Sequence, residues 1–159
     1  MQPENLSVIL KNHPFLSGLK HEFLETIIGC ATNALFQEGQ YLFKENDDAD
    51  KFYLIRTGKA ALEFHAPPKG IIRLQTVSQG EVLGWSWLIY PYKWHFDAIA
   101  VETIRAIALD GKCLRNKCKK NPVFGYEMLI RFSEVLESHL KATRLQLLDF
   151  YSVAKGEKV

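Results

Sequence analysis

The side chains best suited to hold a ligand are concentrated between positions 84 and 95: Gly84, Trp85, Ser86, Trp87, Lys93, Trp94 and His95. Three indoles within ten residues offer faces on which a flat heterocycle can stack. Lys93 and His95 flank Trp94, and either can supply a cation for an anionic group. The same residues have a plainer use. The indoles are large enough to fill a small core themselves, Lys93 fits a solvated loop, and His95 fits a hydrogen-bonded structural site. The residue types alone leave both uses open.

Other chemistry is thinly represented. Cys113 and Cys118 are separated by four residues, with no CxxC spacing and no nearby His pair to complete a zinc site. With Cys30 they make an odd total of three, which predicts free thiols in a reducing cytoplasm. His65 and His95 are isolated, so a metal-holding cupin barrel is disfavoured and no metal site is expected. No Gly-x-Ser-x-Gly elbow, P-loop or HExxH occurs, which predicts a non-catalytic protein. The basic run Lys112–Lys120 reads as the solvated face of a short helix. It lacks interleaved aromatics, and the net charge of +2 is too small for non-specific nucleic-acid binding.

A hydrophobic fraction of 47% and a charged fraction of 24% over 159 residues fit one globular domain and exclude a disordered chain. No apolar run approaches the roughly 18–20 residues of a membrane span, so no membrane partner is expected. Met1-Gln2-Pro3-Glu4-Asn5 lacks the pattern of a secretion signal.

The elements that must position the 84–95 cluster follow from hydrophobic period. Positions 1–34 read as short helices, with the breaker His13-Pro14 and helical spacing from Phe23 to Cys30. Positions 35–110 read as short strands with turn residues between them, the pattern of a β-sandwich, roll or barrel. Positions 111–120 give a short helix. Asn121-Pro122 then opens a long one over 121–154, with Asn as N-cap and Pro at the first helical position. Along it Leu129, Leu136, Leu140, Thr143, Leu147 and Phe150 keep a spacing of seven or of alternating four and three. A helix of about 30 residues reaches about 45 Å. That outruns a small domain, so this seam predicts a homodimer, the plainer alternative being that the helix folds back on its own barrel.

The order of these elements resembles the cyclic-nucleotide-binding domains of the catabolite activator protein and of protein kinase A regulatory subunits. The resemblance runs from about Phe15 to Phe150 and is strongest from Phe36 to Gly58. It includes turn glycines at Gly39, Gly58 and Gly80, with Asn46 where another glycine is usual. It implies an α+β, mainly β fold: a double-stranded β-helix, or jelly-roll-like β-roll, with N-terminal helices and a long C-terminal helix. In that family a short helix after Gly-Glu and a following Arg hold the ribose and cyclic phosphate. With Gly84 as the cassette glycine, Trp85 stands where Glu belongs and Trp94 where Arg belongs. Leu62 and Leu74 align with residues around the base. Thr143, beside Arg144, falls where the long helix meets the purine, although its hydroxyl can equally bond back along its own helix.

Two functions follow as expectations. One is a ligand-sensing regulatory domain that binds a cyclic nucleotide weakly, or another small anion, at a helix beginning near Gly84, and signals through its C-terminal helix. The other is a pseudo-sensor whose tryptophans fill the pocket, acting as a protein–protein interaction module. No cofactor is expected with certainty, and a cyclic nucleotide is the candidate effector. With no helix-turn-helix before Val159, output is expected through a protein partner rather than by direct DNA binding.

Overall fold

Two short helices and a 3₁₀ turn open the chain: α1 (Leu6–Asn12), the turn Pro14–Leu16, and α2 (His21–Ile28). The computed structural model describes residues 5–156; the 1–4 stretch, read above for a secretion signal, and residues 157–159 lie outside the described residues. His13 joins α1 to the turn. Its Nδ1 accepts from Phe15 N at 3.3 Å and its Nε2 lies 3.2 Å from the Ile55 carbonyl. Accepting at Nδ1 leaves the proton on Nε2, so the buried ring must be neutral.

That arrangement has a pH consequence. Burial lowers the His13 pKa below its ordinary 6.5, outweighing the bond to Ile55. Between the two pKa values the unfolded chain binds more protons than the folded one, so stability is full above about pH 6.5 and falls as the pH drops. Melting temperature is expected to decrease from pH 7.5 to pH 5.5. His13→Asn keeps an acceptor near the Nδ1 position and should show a smaller decrease. Parallel pH profiles for the two proteins would remove His13 as the cause.

Eight strands follow: β1 (Ala31–Phe36), β2 (Tyr41–Phe43), β3 (Lys51–Thr57), β4 (Ala60–Ala66), β5 (Gly70–Val77), β6 (Val82–Leu83), β7 (Asp97–Ala100) and β8 (Ile104–Asp110). They form two four-stranded sheets in the orders β1-β8-β3-β6 and β2-β7-β4-β5. Strand β1 begins inside the segment expected to be helical. It runs from Ala31↔Leu109 to Phe36↔Ile104 along β8, but as an outer strand it exposes Thr32 and Asn33 and shows little alternation. Gly58 turns β3 into β4 at φ +89, and a Cβ there would lie 2.2 Å from the Thr103 carbonyl oxygen.

The apolar runs of β3 and β8 are explained by cores on both faces. Phe52 and Leu54 of β3, with Ile107 and Leu109 of β8, face the helices. Tyr53 and Ile55, with Ile104, Ala106 and Ala108, face the roll interior. The helical layer is completed by α3 (Gly111–Lys120) and α4 (Pro122–Ala154). Asn121 Oδ1 accepts from Phe124 N at 3.2 Å, capping α4 as its sequence predicts.

One expectation about the cysteines is corrected. Cys30 and Cys113 are disulfide-bonded, and only Cys118 is free among the described cysteines. The pairing of β1 with β8 causes this: Cys30 immediately precedes β1 and Cys113 lies in the first turn after β8, where Asp110 N donates to the Cys30 carbonyl at 2.9 Å. Linear spacing hides that neighbourhood, and the cysteine count no longer argues for a reducing compartment. Among the described residues, no helix is long and apolar enough to cross a membrane. The basic run is also less uniformly solvated than expected, since Arg115 and Lys117 turn inward to the carbonyls of Trp87 and Thr26.

Candidate functional site

Strand β6 delivers the chain to Gly84, which sits at φ +101 beneath Trp94; a Cβ there would lie 2.6 Å from the indole Cη2. The helix expected to begin near Gly84 is absent. Residues 85–91 form turns instead, with Leu88 N donating to Trp85 O at 3.1 Å, Ile89 N to Ser86 O at 3.3 Å, and Tyr92 N to Ile89 O at 2.9 Å. These bonds link residues three apart and do not continue as a helix, so no helix N-terminus is presented to an anion here.

Trp87 explains the replacement. Its fully buried ring stacks on Phe52 at 4.8 Å and meets Phe132 of α4 edge-on at 5.2 Å. Phe132 also touches Phe15 and Phe52, each at 5.0 Å, so four aromatic rings tie the 3₁₀ turn, β3, the 85–91 turns and α4 together. Arg115 clamps the turns from outside, donating to the Trp87 carbonyl and lying 4.0 Å from the Tyr92 ring centroid. The fill carries a polar cost, because Ser86 Oγ and Trp87 Nε1 are buried without hydrogen-bond partners.

Trp94 occupies the roll interior. It is 2% exposed and lies parallel to Phe43, with centroids 3.7 Å apart and planes 8° from parallel. Its backbone is latched to the β2–β3 connection: Asn46 N donates to Trp94 O at 2.9 Å and Trp94 N to Asp47 O at 3.0 Å. Asn46 adopts φ 71 there, the left-handed conformation its sequence position predicts.

The extended backbone alternates around Trp94, so Trp94 and Phe96 point inward while Lys93 and His95 are exposed. Lys93 pairs with Asp48 at the surface. Neither candidate cation is brought into the cleft. Leu62 is buried in the roll core, and half-buried Leu74 accepts from Gln146 Nε2 of α4 through its carbonyl. Thr143 is exposed and donates to its own helix at His139 O, 2.9 Å away; Arg144 is exposed beside it.

Besides Phe132 and Gln146, α4 brings His139 to this region, with its ring 4.6 Å from that of Trp85. Trp85 in turn lies 5.3 Å from Phe96, and Phe96 lies 6.1 Å from Phe43. A continuous aromatic path thus runs from Trp94 to α4. Burial lowers the His139 pKa, and the Glu81 charge opposes this only partly. His139 carries no sequence signal of its own, since one histidine in a leucine-rich helix is unremarkable. Among the described residues, no group of three or more His, Cys, Asp or Glu is placed to hold a metal ion.

Several solved structures share this architecture. A protein from Geobacter metallireducens described as cyclic nucleotide-binding is 26% identical, with a TM-score of 0.74 over 88% of this chain and 98% of that one. The Thermus thermophilus catabolite activator protein is 22% identical, with a TM-score of 0.66 over 86% and 63%. The regulatory domain of Toxoplasma gondii PKA, solved with cAMP, is 19% identical, with a TM-score of 0.65 over 80% and 48%. None of the curated proteins compared with the chain matches it. The cyclic nucleotide-binding domain profile matches residues 34–121, more than half the chain and the whole of the roll from β2 to β8. With that match and the two-sheet roll closed by a long helix, the chain belongs to the cyclic nucleotide-binding domain family.

Proposed function

We propose that this domain is a non-catalytic regulatory module whose nucleotide cleft is closed by its own side chains, and that it works by binding proteins. The observation that carries this reading is Trp94, buried and stacked on Phe43 directly over Gly84. Three features of the region agree with it. Trp85 stands where a ribose-binding Glu would, turns replace the anion-binding helix, and Lys93 faces solvent against Asp48. A buried Arg–phosphate contact contributes a few kcal/mol, so its absence weakens cyclic nucleotides by orders of magnitude.

Output runs through α4. Beyond Phe132 the helix exposes Leu140, Leu147 and Phe150, each more than half accessible, and these form the proposed seam with a second copy; Leu129 lies exposed before Phe132, and Leu136 is half-buried. The partner protein docks on this dimer. Titration calorimetry with cyclic AMP and cyclic GMP is expected to show no binding below the millimolar range. Micromolar affinity for either would replace this reading with a conventional ligand sensor.

A further inference from the structure

A cavity of about 530 Å³ separates the middle of α4 from the β5–β6 connection and the 3₁₀ turn. It is distinct from the filled cleft, since its lining includes none of Trp85, Trp87 or Trp94. The size falls within the roughly 300–1,000 Å³ of small-molecule sites. The cavity runs alongside α4 from Glu127 to His139, a helix fastened to the roll at two points. Phe132 is held in the aromatic cluster, and further along Gln146 reaches the Leu74 carbonyl.

Along this stretch α4 buries Met128 and Phe132 against the core, and the flank beside that apolar face lines the groove. Glu127, Arg131, Glu134 and Ser138, spaced four, three and four apart, all line the gap, while Leu129 and Leu140 are exposed elsewhere. A polar flank beside an apolar one along an open groove offers charge and apolar surface to a guest together. The opposite wall adds Glu81, whose Oε2 accepts from Ser78 N at 2.5 Å. The groove thus gathers three carboxylates in a chain whose overall charge is +2. Its single guanidinium, Arg131, offsets one of these charges; Nη1 donates to the Phe15 carbonyl at 2.7 Å while Nε is buried without a partner, and burial lowers the pKa of His139, which also lines the groove. Phe15, Val77, Val82 and Val135 supply apolar walls.

We propose that this groove is a second ligand site, and that it takes a small amphipathic ammonium ion, with its charged end toward Glu81 and Glu134 and its apolar body against Val77, Val82 and Val135. Anions, cyclic nucleotides included, are repelled by the same carboxylates. A ligand here touches both the roll and α4, so it would supply an input that the closed cleft no longer provides.

Titration calorimetry on the full chain at pH 7.5 tests the site with 2-phenylethylammonium, and with phenylacetate as the anion of similar shape. The ammonium ion is expected to bind with a dissociation constant below about 1 mM, and the anion at least tenfold more weakly. Glu81→Gln combined with Glu134→Gln, both at exposed positions, should weaken the ammonium ion at least tenfold while leaving the melting temperature within a degree or two. Equal binding of the anion, unchanged affinity in the double variant, or no ammonium binding at 10 mM would each overturn the proposal. The closed-cleft reading fails separately, on cyclic nucleotide binding, and neither result decides the other.

Discussion

Trp94→Ala is expected to cost about 3–5 kcal/mol of stability, and added indole is expected to restore part of it. The ring is 2% exposed, lies flat on Phe43 and covers Gly84, so its removal leaves a cavity that rigid strands on either side cannot close. An apolar cavity of that shape takes up an apolar guest. Indole at ten times its dissociation constant would contribute about 1.4 kcal/mol. In a domain of this size that raises the melting temperature by roughly 3–6 °C. Thermal melts with and without indole measure both effects. A variant as stable as the parent, or one indifferent to indole, would show that Trp94 does not fill the roll, and the closed-cleft reading would lose its main support.

The second large effect concerns assembly. Leu140→Asp is expected to convert a dimer of 18.2 kDa chains to monomers in sedimentation. Leu140 is 52% exposed in the single chain, so aspartate there leaves the fold intact. In a two-fold interface every substitution enters twice. Losing burial of about 1.5–3 kcal/mol at each copy, and placing two carboxylates near one another, raises the dissociation constant at least a hundredfold. An unchanged mass would place the contact away from this seam.

Much of the architecture was legible in the sequence because its signals are local. The turn conformation of Asn46, the Asn121 cap and the short apolar strands each depend on a few neighbouring residues. The roll itself was legible because several such signals agree in order. What escaped depends on partners distant in the chain. Cys30 and Cys113 meet only after β1 pairs with β8, 83 residues apart in sequence. The turns at 85–91 replace a helix because Trp87 is drawn into rings supplied by β3 and α4. The choice between stacking platform and core filler for Trp94 rests on Phe43, some fifty residues earlier. His139 and the carboxylates of the groove were silent for the same reason, since nothing in a helical sequence says which polar stripe faces a gap.

The two fastenings of α4 also give the molecule a mechanical character. Taking Phe132 as the fulcrum, His139 at the rim of the groove lies about 10 Å along the axis and Ala154 about 33 Å. If the tether at Gln146 yields, a sideways push of about 1 Å at the groove becomes roughly 3 Å at the far end of the helix. Leu147 and Phe150 ride on that distal arm. With that tether released, the helix would act as a step-up lever, its short arm over the groove and its long arm carrying the apolar surface.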